Sequence, residues 1–152
     1  MKLVGNWSLA APPDRAYALL QDPAVLARSM PGCEGLDRIG ENEYAMRMKM
    51  TLASLAGRFE GKVRIADPDP PLSFRLVVEG TGKIGFMKGD GVLRFAHDGA
   101  GSTVHYEGDV QVGGTIANVG QRLVETTAKM MIKRFFEKMN AEVAASLRAA
   151  AD

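Results

Sequence analysis

The chain has 152 residues, with 19 basic and 18 acidic side chains and a net charge of +1, so bulk basicity does not point to nucleic acid. Its length is enough to bury one core and short for two ordinary domains, so residues 1–152 are expected to form a single domain. One cysteine, Cys33, excludes an internal disulfide. No stretch reaches the roughly 20 apolar residues of a membrane span, and Met1–Trp7 lacks the apolar run of a signal peptide, so a cytoplasmic location is the expectation.

Lys2 to Leu9 alternates, with Leu3, Trp7 and Leu9 on one side, and reads as a first strand. Pro12-Pro13 stops it, and Asp14 opens a short helix over Arg15–Gln21 as its cap or first-turn acid. Asp22-Pro23 ends that helix, a second runs from Ala24 to Met30, and Pro31-Gly32 breaks it.

From Cys33 onward the period is two. A short strand, Gly35–Ile39, turns at Gly40-Glu41-Asn42 into a longer one in which Met46, Met48, Met50 and Leu52 alternate with Arg47, Lys49 and Thr51. Phe59, Gly61, Val63 and Ile65 continue the apolar parity up to a turn at Asp67–Pro71. Phe74, Leu76, Val78, Gly80 and Gly82 follow, then Gly89, Gly91, Leu93 and Phe95, then Val104, Tyr106, Gly108, Val110 and Val112. One sheet face is thereby apolar and the other charged.

Residues 115–150 read as one long C-terminal helix. Val119, Leu123, Thr127, Met131, Phe135, Met139, Val143 and Leu147 recur every fourth position, beside a second row of Val124, Ala128, Ile132 and Phe136. A step of four residues drifts by about 40°, so the stripe winds and calls for a curved partner. The expected fold is α+β: a curved, seven-stranded antiparallel sheet wrapped around this helix, with two short helices after the first strand.

Six glycines on the inward parity (Gly61, Gly80, Gly82, Gly89, Gly91 and Gly108) imply either sheet bending or space left open. Tyr106 is the one ionisable side chain on that parity. His105 falls on the outer one and His97 at a strand end, so a general base is lacking. One Cys and two scattered His give no metal-ligand spacing. Gly80–Gly85 matches GxGxxG, but no helix follows it as a dinucleotide site requires. The lining is instead Met and aromatic. Met46, Met48, Met50, Phe59, Phe74, Phe95 and Tyr106 on the strands face Leu123, Thr127, Met130, Met131 and Phe135 on the helix, an adaptable surface for an apolar ligand in an internal cavity. Gly120 reads either as a close approach inside the helix or as a sign that the helix begins at Gln121.

Several strings carry a resemblance: Asp22-Pro23, Pro31-Gly32-Cys33-Glu34, Gly89-Asp90-Gly91, the run from Gly113 through Ile116, Ala117 and Gln121 to Leu123, and Phe135-Phe136. With them the chain resembles the CoxG family of carbon monoxide dehydrogenase proteins, within the START-like, polyketide-cyclase-like (SRPBCC) helix-grip proteins. The resemblance implies a non-enzymatic accessory protein with a pocket for a quinone or fatty-acid-like ligand and no covalently bound cofactor. It further implies a molybdenum hydroxylase of the carbon monoxide dehydrogenase kind as partner, with the accessory protein linking it to the membrane quinone pool from the inner face of the cytoplasmic membrane. The chain ends at Asp152 without the extension some relatives carry, so transient membrane contact is expected. By the same resemblance Leu26, Met30, Pro31, Cys33 and Glu34 would form the pocket mouth, Cys33 as a gating thiol or a small buried hydrophobe and Glu34 as a cap or an arginine partner. The alternatives are a cyclase or hydrolase using Tyr106 or Cys33 and Glu34, and a docking or assembly factor.

Overall fold

Period-two alternation becomes seven strands: β1 (Lys2–Leu9), β2 (Cys33–Gly40), β3 (Glu43–Leu52), β4 (Leu55–Asp69), β5 (Ser73–Gly82), β6 (Gly85–Asp98) and β7 (Gly101–Gly113). Helices α1 (Pro13–Leu19) and α2 (Pro23–Ser29) separate β1 from β2, and α3 (Gln121–Ala151) follows β7. The computed structural model describes residues 1–52 and 54–151. The sheet is antiparallel throughout, in the order β1-β7-β6-β5-β4-β3-β2, so each strand from β2 to β7 lies beside its chain neighbour and β1 closes onto β7. All three helices cover one face, the helix-grip arrangement expected.

Local chemistry explains three departures from expectation. Asp22-Pro23 does not close the first helix but opens the second: the Asp22 carboxylate accepts from the backbone N–H of Ala24 and Val25, at 3.0 and 3.4 Å, and Pro23 takes the first helical position, where its missing N–H costs nothing. Asp14 is a first-turn acid, not a cap. The expected turn at Asp67–Pro71 begins later, because β4 runs on to Asp69 through a register shift between Ala66 and Asp69. A bulge can hold Pro68, which has no N–H for the ladder.

The third departure concerns the C-terminal quarter. Thr115–Val119 is a 3-10 turn, and Gly120, at φ +100°, separates it from α3. An added Cβ at Gly120 would meet nothing within 4 Å. Gly120 therefore serves the left-handed backbone at the junction and not a close approach. Along α3 the four-residue row follows its drift. Met139 and Val143 lie at 0 % exposure in the middle of the covered arc, whereas Leu123 and Leu147 at its ends have rotated out to 37 %.

Both ends of the sheet–helix interface are filled. At one end Tyr17 of α1 packs edge-on against Phe74 and Phe95, with ring centroids 5.5 and 5.3 Å away, and its hydroxyl donates to the Ser73 carbonyl at 3.1 Å. Arg15 donates to the Ser146 carbonyl at 3.0 Å, and Asn140 donates to the Ser8 carbonyl at 2.9 Å, fastening α1 and β1 to α3. At the other end Leu52, Phe59, Ile116 and Val124 form a second cluster with Met50 and Ile84. Between these ends the packing is incomplete.

Candidate functional site: an apolar recess between sheet and helix

The strand register shows why a gap opens there. Val63, Val78, Gly89 and Val110 stand in one row across β4, β5, β6 and β7, and Leu76, Gly91, Gly108 and Leu3 stand in the next. Three of these eight inward positions are glycine and adjoin one another, so the sheet has no side chains where α3 passes over it. Met131, Ile132, Phe135 and Phe136 form the helix side, and Leu26, Met30 and Pro31 close the α2 side. The recess measures about 300 Å³, twice the roughly 150 Å³ that admits a benzene ring. It is open to solvent on one side, in contrast to the internal cavity expected, and its surface is almost wholly apolar.

The six inward glycines divide by what surrounds them. An added Cβ at Gly61 would overlap the Glu79 carbonyl oxygen, and one at Gly82 the Arg58 carbonyl. At Gly108 it would lie 2.8 Å from the Asp90 carbonyl oxygen and 2.9 Å from the Gly91 Cα. These positions let neighbouring strands approach and bend. Gly89 differs: its Cβ would meet only Val110 Cγ2, at 3.9 Å, and would otherwise enter open space. Both expected roles occur, at different residues.

Of the residues expected around a ligand, Met48, Tyr106, Met131 and Phe135 line the recess, together with Leu26, Met30 and Pro31 of the expected mouth. Met46 is buried just behind it, within the Met48–Val63 cluster. Met50 and Phe59 belong to the filled cluster around Ile116, and Phe74 and Phe95 are packed under Tyr17. Leu123, at 37 %, and Met130, at 41 %, face solvent, and Thr127 is half-buried outside the lining. The Cys33 thiol lies 3.5 Å from the Gly35 carbonyl, half-buried and apart from the recess. Exposed Glu34 accepts from Arg58 at 3.0 Å. Sequence reasoning missed Leu3, Met87, Ile132 and Phe136. Extending the β6 parity two residues toward its start would have found Met87.

Tyr106 is the one inward ionisable side chain of the lining, and its ring lies across Gly5, where a Cβ would stand 2.5 Å from the hydroxyl oxygen. Asp90, Glu107 and Asp109 border the recess from the outward parity of β6 and β7. Asp90 accepts from Arg75 at 2.6 and 2.8 Å, and this hydrogen bonding holds its carboxyl below the usual carboxylate range. Around Asp90 the outer sheet face has a larger depression, about 390 Å³, but its wall is polar and its charges are exposed and paired, so it lacks a convergent buried group. His105 bonds Asn6 at 2.9 Å on that outer face. Among the described residues no three His, Cys, Asp or Glu side chains are grouped to hold a metal ion, and no helix is long and apolar enough to cross a membrane.

Helix α2 is tied to α3 beside the recess by Arg28, whose Nε and Nη2 donate to the two Glu142 oxygens at 2.7 and 3.0 Å. That hydrogen bond lowers the Glu142 pKa. A lowered folded-state pKa gives stability that is present above the unfolded-state value and lost as pH falls through the folded one. Glu142→Gln is therefore expected to lower the urea midpoint slightly at neutral pH and to match the parent in acid. A gap unchanged by pH would contradict this.

The same architecture recurs in solved structures. The chain superposes on a conserved protein from Geobacillus kaustophilus with a TM-score of 0.91 at 29% identity, covering 96% of this chain and 97% of that one. A START superfamily protein from Mycobacterium smegmatis gives 0.71 at 13% identity, with 95% and 97% covered. The Zhui aromatase/cyclase from Streptomyces sp. R1128 gives 0.69 at 16%, with 99% and 97% covered. The last two establish the helix-grip fold alone. No curated protein matches. The family model for the carbon monoxide dehydrogenase protein CoxG matches residues 5–144, a span holding both glycine rows and the part of α3 that covers them, and the chain belongs to that family.

Proposed function

We propose that this protein is a non-enzymatic binding protein for a neutral lipophilic molecule, a quinone or a similar lipid. It serves a molybdenum-containing oxidoreductase of the carbon monoxide dehydrogenase kind and links that enzyme to the membrane quinone pool from the cytoplasmic side. The observation that carries the reading is the recess at Gly89, Gly91 and Gly108, apolar and unfilled in an otherwise packed interface. A carboxylate buried there would find no cationic partner on the inward parity, which favours a neutral occupant over a fatty acid. The family description supports the partner. A cyclase would need convergent polar groups in the recess, and Tyr106 supplies one.

Protein purified without detergent and extracted with organic solvent is expected to yield one neutral lipophilic species in near-stoichiometric amount, identified by mass spectrometry. An empty protein that also fails to take up a short-chain quinone would overturn the proposal.

A further inference from the structure

We infer that the solvent face of α3 beside the recess docks on a bilayer containing anionic lipid. Between Gln121 and Lys138 the helix carries five basic and two acidic side chains, against 19 and 18 for the whole chain, so its first half is the basic part of a nearly neutral protein. Both acids are engaged within the helix, Glu125 with Lys129 at 2.9 Å and Glu137 with Lys133 at 3.9 Å. Among the described residues Arg122, Arg134 and Lys138 have no carboxylate within ion-pair distance. Two large apolar side chains interrupt this face, Leu123 at 37 % exposure and Met130 at 41 %, seven residues apart and hence two turns along one side of the helix. Arg134 and Lys138 continue that side at four-residue steps.

Cations flanking exposed Leu and Met fit the boundary between anionic headgroups and acyl chains, where the charges meet phosphate and the apolar groups enter hydrocarbon. Position argues for lipid over an acidic protein. Met131 and Phe135 line the recess, and their chain neighbours Met130 and Arg134 are on the exposed face. The step from one to the other is a rotation of about 100° on a single helix. A molecule that prefers the recess to water also prefers the bilayer, so the face next to the opening is where transfer has the shortest path. This last step rests on the proposed binding of a lipophilic ligand; the charge and exposure pattern does not.

Flotation of the 152-residue chain with phosphatidylcholine vesicles containing one-third phosphatidylglycerol tests the assignment. The protein is expected to float with these vesicles at low salt, to be released at high salt, and to remain behind with pure phosphatidylcholine. Each cation near such a surface is worth about fivefold in partitioning, so the triple variant Arg122→Gln, Arg134→Gln, Lys138→Gln should lose roughly 100-fold. Met130→Ser should lose affinity with the helix intact by circular dichroism. Gly89→Leu, which fills the recess, should float like the parent, separating docking from ligand uptake. Failure to float with anionic vesicles, or a triple variant that floats like the parent, overturns the inference even where uptake of a quinone is measured.

Discussion

Phe136→Ala is expected to destabilise the protein by about 3–5 kcal/mol, the range for removing a buried aromatic ring. Phe136 is 3 % exposed and stands between two aromatic rings of the sheet. Trp7 of β1 stacks on it at 5.6 Å and 13°, and Tyr106 of β7 at 6.1 Å and 20°. Phe135 meets it edge-on at 5.2 Å. The ring thus joins α3 to the β1 edge and to its neighbour β7, and also forms part of the recess wall. Domains of this size are stable by about 5–15 kcal/mol, so the variant is expected to lose a large share of its folded population on mild warming. Leu147→Ala, at the end of the drifting row, should change stability by less than about 0.5 kcal/mol. Urea denaturation with unchanged m-value measures both. A loss below about 1 kcal/mol at Phe136 would contradict its role as the pin between helix and sheet.

The second large effect separates two glycines that share a parity. Gly89→Leu directs its side chain into the recess, where an added Cβ meets only Val110 Cγ2 at 3.9 Å. Uptake of a short-chain quinone is expected to fall roughly 10- to 100-fold, the equivalent of the 1–3 kcal/mol that overpacking an apolar site costs, while the urea midpoint stays near the parent value. Gly61→Leu places its Cβ against the Glu79 carbonyl and 2.6 Å from the Gly80 Cα. Backbone cannot yield as a side chain can, so this variant should lose about 3 kcal/mol or more, or fail to fold. Equal effects at the two positions would mean that the recess is closed in solution.

These two glycines also mark how far the sequence is legible. Alternation assigns both to the inward parity, and no local pattern separates them. The difference arises from how closely the neighbouring strand approaches at each position, which depends on register and twist. Phe74 and Leu76 pose the same difficulty. They share a face and lie two residues apart, yet Phe74 is covered by Tyr17 of α1 and Leu76 borders the recess. Parity reports the face of a sheet and not where along a strand a short helix will land.

On α3 the winding of the four-residue row is readable from helix geometry, but the width of the arc the sheet covers is not. Leu123 and Met130, expected inside, therefore lie outside. The element order, the alternating apolar face and the sharp punctuation at Pro12-Pro13 and Pro31-Gly32 rest on local chemistry, and they are where expectation and structure agree. Gly120 shows the same division. Its presence near the start of the helix is evident in the sequence, while the left-handed backbone that makes it a boundary emerges only with the 3-10 turn before it.

The most direct test of a ligand in the recess uses the protein's own methionines as reporters. Met30, Met48, Met87 and Met131 line the recess, whereas Met1 and Met50 pack in the cluster around Ile116, Met139 is fully buried in the core, and Met130 faces solvent. With methyl-labelled methionine and a short-chain quinone as titrant, the NMR signals of the first four are expected to shift together and saturate at one equivalent, with Met1, Met50, Met130 and Met139 unmoved. No saturable shift at the four lining methyls, or shifts confined to Met130, would contradict the account.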